Sequence, residues 1–285
     1  MKSPLNLNLS LLREEFIRDG FAVLPRLIPH DVICKVQYAI EQLVSEYDPQ
    51  HDRSVFRTDD HDQGRDESFF TSAYSVRGFL EAEALDARGN LCVPQDQCLN
   101  KMGHALHDLI PEFKSLAQSK WVKYAFDVGG LHQTKLMQSM VIFKQPKIGG
   151  DVRWHQDASY LITKPSSVIG VWIALEDATR NNGCLWMAPG AHRSPLRERY
   201  EVDWQTRQGT LKVLDETPWP SQETTVALEV EAGSVVVFHD HMPHCSHANR
   251  SQKSRVAVTF HGYNPHSSWA LNNWLQRTHL DDFII

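Results

Sequence analysis

The sequence predicts a mainly β fold with flanking helices (α+β), its second half forming a sandwich, jelly roll or barrel. Three observations predict it. From about residue 136, short runs rich in β-branched and aromatic residues follow one another: LMQSMVIFKQ, SVIGVWIALED, CLWMAP, TTVALEV, GSVVVFHD and RVAVTFHGY. Gly, Pro and Asn separate them, and long helical periodicity is absent. Helical spacing is confined to the first half, with no repeat or low-complexity linker between the halves. The N-terminal helices are therefore expected to pack on one sheet of the β core. One domain is expected over residues 1–285: a helical and mixed part (1–135), a β core (136–265) and a C-terminal tail (266–285).

Taken in order, Ser10 is the expected N-cap of a helix reaching Arg18, with Gly20 just past its end. GFAVLPRLI reads as a strand with Phe21 and Val23 on one face. Val32, Val36, Ile40, Leu43 and Tyr47 recur at helical spacing and predict a helix over 30–47, closed by Asp48-Pro49. Residues 48–67 read as a solvated loop, including the run Asp59, Asp60, His61 and Asp62. Helix is expected again over Gly103–Gln118, broken near Pro111, with His104 and His107 as surface or cap residues.

Composition narrows the function. A net charge of −6 argues against non-specific nucleic-acid binding. No apolar stretch approaches the roughly 18 residues of a membrane span. MKSPLNLNLSLL has no basic segment leading into a long apolar one, and DDFII is not an SKL-type tail, so a cytoplasmic location is expected. Five scattered cysteines without a CxxC argue against a disulfide framework, and Cys245 reads as a small buried residue.

His155 and Asp157, two apart in VRWHQDASYL, point to one face of an extended strand. Imidazole with carboxylate suits a transition metal, and one distant His would complete a two-His-one-carboxylate set with open positions on Fe(II). His239, His241, His244 and His247 are the candidates. His244 fits best: Pro243 breaks the outgoing strand, Asn249-Arg250-Ser251 reads as a turn, and Arg255 opens a returning strand. An Arg beside a metal can bind a carboxylate through two parallel hydrogen bonds, as the far end of 2-oxoglutarate requires.

WHQDASYL, GVWIALEDATRNNGCLWMAPGAHRS and MPHCSHANRSQKSR resemble the phytanoyl-CoA dioxygenase family of Fe(II)/2-oxoglutarate oxygenases, from about residue 10 to the end. The resemblance implies a double-stranded β-helix, a cupin-like jelly roll. It implies Fe(II) on His155, Asp157 and His244, with Arg255 anchoring 2-oxoglutarate and Ser246 assisting. Lys101, Met140, Gln156 and Trp172 match positions lining the co-substrate pocket. Read without the resemblance, Met140 and Trp172 are core residues and Lys101 is solvent-exposed. The implied reaction consumes O2 and 2-oxoglutarate, releases succinate and CO2, and hydroxylates a small organic molecule, with ascorbate as a stimulant. Halogenating members replace the metal carboxylate by a small residue, so Asp157 favours hydroxylation. The alternatives are a metal-binding jelly roll with non-oxygenase chemistry and a non-catalytic sensor. Segments 50–75 and 195–225 are expected to rim the pocket. Arg197, Arg199 and Arg207 read as solvated surface, or as contacts for an anionic substrate.

Overall fold

The computed structural model describes residues 7–50, 53–56 and 67–285; Asp59, Asp60, His61 and Asp62 lie outside them. The chain opens with α1 (Leu9–Asp19). Its N-cap is Asn8 and not Ser10, because the Asn8 side-chain oxygen accepts the backbone N–H groups of Ser10 and Leu11. Gly20 closes the helix at φ +82°, a left-handed conformation that glycine adopts without strain. β1 (Phe21–Leu24) and α2 (His30–Glu46) follow, and α2 buries Ile33, Val36, Ala39 and Ile40 along one stripe. Next come β2 (Val55–Phe56), α3 (Glu67–Thr71) and β3 (Val76–Glu81).

The chain departs from expectation at NKMGH. Instead of starting a helix at Gly103, residues Leu99–His104 form β4, buried along its length and paired with β3 and with β5 (Lys135–Lys144). Pairing on both edges overrides local preference, as sheet context commonly does. Helix starts at α4 (Leu106–Leu109) and continues as α5 (Pro111–Ala117) and α6 (Lys120–Val128). Pro111 sits at the first turn of α5, where its missing N–H costs nothing.

The remaining strands are β6 (Val152–His155), β7 (Thr163–Lys164), β8 (Ile169–Ala174), β9 (Leu185–Met187), β10 (Glu198–Asp203), β11 (Gln208–Val213), β12 (Val226–Leu228), β13 (Val235–His239), β14 (His244–Ser246), β15 (Arg255–Tyr263), β16 (Ser268–Trp269) and β17 (Phe283–Ile284). The large sheet runs β1-β13-β8-β15-β5-β4-β3-β2, with β17 also on β5. It therefore draws strands from both sides of residue 135. The small sheet runs β12-β9-β14-β6.

Alternation along the strands sorts the core into two layers. Val171, Ile173, Val235, Val237, Val258 and Phe260 face the helices and pack on Phe16, Ile33, Phe113 and Phe126. Their neighbours Trp172, Ala174, Val236, Phe238 and Ala257 face inward, onto Leu185, Trp186, Leu228 and Cys245 of the small sheet. This is the expected jelly roll with its N-terminal helices on one sheet. β13 and β15 are not a hairpin, however: β8 lies between them. After β13 the chain crosses at Pro243 into the small sheet as β14, then returns to the large sheet at Arg255. Among the described residues no helix is long and apolar enough to cross a membrane. All five cysteines are free, and Cys245 is buried.

Candidate metal centre

β6 ends at His155. Gln156 is still extended (φ −121°, ψ 133°), and Asp157 begins a 3-10 turn. The strand is thus shorter than expected, yet His155 and Asp157 keep a common side while Gln156 takes the other. β14 lies antiparallel to β6 with His244 opposite His155, and the two rings are 4.1 Å apart between centroids. The Nε2 atoms of His155 and His244 lie 3.8 and 3.9 Å from Asp157 Oδ1. One ligand atom from each residue falls within 4.8 Å of the others.

The donor set suits a divalent metal in its protonation as well as its placement. His155 Nδ1 lies 2.9 Å from the Arg153 carbonyl, and His244 Nδ1 lies 2.9 Å from that of Met242. A carbonyl only accepts, so each ring carries a hydrogen on Nδ1 and turns its Nε2 toward Asp157. Burial, with His244 beside it, pushes His155 down to about 3, so its ring is neutral. For Asp157 burial acts upward, but His261, His244 and His155 outweigh it and hold the carboxylate below its usual range. His261 donates Nε2–H to Asp157 Oδ2 at 3.0 Å and turns Oδ1 toward the two histidines. Sequence reasoning missed His261. Its one signal was period: Arg255, Ala257, Thr259 and His261 share the inward face of β15.

On that face Arg255 is 1% exposed. Its Nε donates to the Gly183 carbonyl at 3.1 Å, its guanidinium sits 5.6 Å over the Trp172 ring, and its Nη1 has no hydrogen-bond partner among the described residues. Burial lowers it to about 10, so it stays charged at neutral pH. Lys144, opposite Arg255 in the β5–β15 pair, is a second buried cation that the sequence did not signal. It donates to the carbonyls of Ser246 and Gly150.

A cavity of about 190 Å³ opens beside His155 and Asp157, with Lys101 and Met140 in its wall. Lys101 is buried, not solvent-exposed, and desolvation pushes it down to about 7. Ser246 and Trp172 are buried in the interior. Gln156 is not brought to the cavity: its amide donates to the carbonyls of Pro195 and His241 and accepts from the Arg197 N–H. Of the four histidine candidates only His244 joins the cluster. His239 pairs with Asp240, His241 does not reach the cluster, and His247 sits near Asp151.

His104 and His107 are fully buried, correcting their reading as surface or cap residues. His104 lines the cavity, while His107 is held by Ser139 and Arg277. Tyr200 from β10 and Leu211 from β11 close one side of the cavity, as expected of segment 195–225, and Phe69 and Trp274 contribute aromatic wall. Arg197 is buried and staples that segment to the carbonyls of Thr217 and Pro218, so it is not solvated surface. Exposed Arg207 pairs with Glu67.

The family described as Phytanoyl-CoA dioxygenase (PhyH) matches residues 16–257. Phytanoyl-CoA dioxygenase domain-containing protein 1 homolog of Caenorhabditis elegans is 38% identical over 274 residues, covering 94% of this chain and 95% of that protein. Phytanoyl-CoA dioxygenase domain-containing protein 1 of Mus musculus is 38% identical over 273 residues, covering 93% and 94%. Among solved structures, the non-heme alpha ketoglutarate dependent carbocyclase SnoK from nogalamycin biosynthesis superposes with a TM-score of 0.66 at 19% identity, covering 98% of this chain and 91% of that one. EvdO2 from Micromonospora carbonacea var. aurantiaca, complexed with 2-oxoglutarate, gives 0.57 at 20% identity, covering 93% and 95%. At these identities the structures speak for the fold.

Proposed function

This chain belongs to the phytanoyl-CoA dioxygenase family, and from that premise we propose that it is an Fe(II)- and 2-oxoglutarate-dependent oxygenase hydroxylating a small organic substrate. One observation carries the reading: two imidazole Nε2 atoms, each turned outward by an Nδ1 hydrogen bond to a backbone carbonyl, converge with one carboxylate oxygen, the donor set a divalent cation takes. His155, Asp157 and His244 would hold iron, which would supply oxygen activation at the expense of 2-oxoglutarate, with succinate and carbon dioxide as co-products.

The chain's own residues do the rest. His261 fixes the Asp157 carboxylate. Arg255 offers a charged, planar donor with a free Nη1 to the distal carboxylate of 2-oxoglutarate, and Lys144 adds positive charge beside it. A buried cation left with an unmet donor is costly, and a carboxylate ligand answers that cost. Non-oxygenase metal chemistry requires no such anchor, which disfavours that alternative. Lys101 and Met140 line the near wall, and Phe69, Trp274, Tyr200 and Leu211 exclude water from the reacting face.

The structural neighbours include a carbocyclase and an epimerase, so the outcome must be read from the product. The test incubates the protein with Fe(II), 2-oxoglutarate, ascorbate and a panel of small molecules under O2. Succinate formation stimulated by a substrate, with a product one oxygen atom heavier, supports the reading. Equal succinate formation by His155→Ala and Asp157→Ala sinks it.

A further inference from the structure

Gln138 is a cavity residue to which the proposed reaction gives no task. It shares the inward face of β5 with Met140, Ile142 and Lys144. Lys144 lies opposite Arg255 in the β5–β15 pair, and Gln138 lies opposite His261. Six residues of antiparallel strand separate those two rows, roughly 20 Å. On the reading above, 2-oxoglutarate lies between Arg255 and the metal, along the Met140 and Ile142 part of β5. Gln138 is past that stretch, level with the histidine that fixes Asp157, so it faces the substrate.

The Gln138 amide is almost unused. Its Nε2 donates to the Met140 thioether sulfur at 3.3 Å, and a thioether is a weak acceptor. Turning the amide over would set Oε1 against that sulfur, acceptor against acceptor, so the donor belongs on this side. Oε1 has no hydrogen-bond partner among the described residues, and Nε2 has no other. Oε1 also keeps surface open to the cavity, whereas His104 Nε2 and the Tyr200 hydroxyl are sealed behind its wall. The side chain as a whole is 5% exposed. A buried amide left unmet is costly, and a ligand group that both donates and accepts relieves it.

The chemistry of that group follows. A carboxylate would take the N–H but set its lone pairs against Oε1. An amidinium would take Oε1 but set its hydrogens against the N–H. A group with donor and acceptor side by side satisfies both. Arg153, also in the cavity wall, is already held by Glu198 through two bonds of 3.1 and 2.9 Å, so it makes no demand for an anion. The Phe69 and Trp274 rings, 4.4 Å apart between centroids, line the same cavity and favour a flat body.

We propose that Gln138 is the specificity-determining residue of this centre, and that the primary substrate presents to it a planar, uncharged carboxamide, lactam or ureide. The word substrate rests on the oxygenase reading above; the contact does not. A site built to bond such a group rejects analogues lacking it, because its own polar atoms are then left unmet.

The probes are benzamide, N,N-dimethylbenzamide, benzoate and benzamidine, which share a ring and differ in donors, acceptors and charge. Binding is measured by calorimetry on anaerobic protein loaded with Fe(II) and 2-oxoglutarate. Benzamide should bind about tenfold tighter than each of the others. Gln138→Leu should erase that preference. Gln138→Glu, which accepts but cannot donate, should transfer it to benzamidine. The wild-type protein supplies a readout that needs no variant. With Zn(II) in place of iron and 2-oxoglutarate bound, benzamide should shift the Gln138 side-chain amide resonances in a 1H–15N spectrum. Absent or equal binding of benzamide and its dimethyl analogue, a preference surviving in folded Gln138→Leu, or unmoved Gln138 resonances overturns the proposal. Fe(II)-dependent binding of 2-oxoglutarate, measured in the same samples, separates the two readings. Its absence beside an intact benzamide preference fails the oxygenase and keeps the contact; its presence without that preference fails the contact alone.

Discussion

His261 donates its Nε2 hydrogen to Asp157 Oδ2 at 3.0 Å, joining the large sheet to the carboxylate on which the two metal-facing histidines converge. Partners of this kind orient a ligand without touching the metal, and losing one typically costs about 10–100-fold in metal affinity. His261→Leu is therefore expected to weaken Fe(II) binding by that factor, while His155→Ala, Asp157→Ala and His244→Ala abolish stoichiometric binding. Anaerobic Fe(II) titration with metal analysis checks the order. Unchanged affinity in His261→Leu would show that Asp157 needs no such support.

Arg255 separates stability from co-substrate binding. Its buried charge has one donor unmet and no ion pair among the described residues, so an apolar replacement removes a desolvation cost. Arg255→Met is expected to leave thermal stability unchanged or raised, while 2-oxoglutarate binding weakens by about 2–5 kcal/mol. Arg255→Lys should fall between, since an ammonium cannot reproduce the planar fork. Melting curves and anaerobic calorimetry read the two effects separately. A strongly lowered melting temperature with intact 2-oxoglutarate binding would make Arg255 a structural residue.

The centre was legible where chemistry and short-range spacing coincide. His155 and Asp157 stand two apart on extended backbone, and His244 and Arg255 flank a visible turn. Their juxtaposition was not legible: His244 lies in the small sheet and Arg255 in the large one, and only the crossover at Pro243 brings the segment between sheets. His261 was hidden because its partner lies 104 residues away. His104 was hidden because NKMGHALHDL mimics a helix until β3 and β5 pair with it from either side. Lys101, Met140, Trp172 and Ser246 came from family likeness alone; the structure lines the cavity with the first two, buries Lys101, Trp172 and Ser246 and leaves Met140 half-buried. It turns Gln156, from the same likeness, onto other partners.

Stability should rise with pH above neutrality. Desolvation, then Arg255, lowers Lys144 to about 7; Glu81, Asp151 and Cys245 act upward but do not offset it. Lys101 shifts the same way through desolvation. An unfolded lysine keeps its proton to about pH 10.4. Between the two values the unfolded chain binds more protons, so the unfolding free energy increases with pH. The cost of burying the charged amine is fully present below about pH 7 and is relieved as pH climbs toward 10.4. Unfolding free energies from urea titrations between about pH 6.5 and 9 should rise by roughly 1 kcal/mol per pH unit for each such group. Lys144→Met should flatten the slope. A flat wild-type profile would mean these amines stay protonated in the fold.

The β10–β11 hairpin should govern which substrate enters. Tyr200 and Leu211, Cα partners across the hairpin, both line the cavity, while Arg197 pins its base to Thr217 and Pro218. Leu211→Ala enlarges the cavity at a wall to which Arg255 does not contribute, so it should shift preference toward bulkier molecules without weakening 2-oxoglutarate binding. Arg197→Ala removes three side chain–backbone bonds at once, to Thr217, Pro218 and Pro195. It should loosen the whole segment, broadening substrate acceptance and raising protease sensitivity between residues 195 and 225. Substrate profiling of both variants, with limited proteolysis, distinguishes a changed wall from a freed one. Identical preference in wild type and both variants would remove this hairpin from the selectivity of the site.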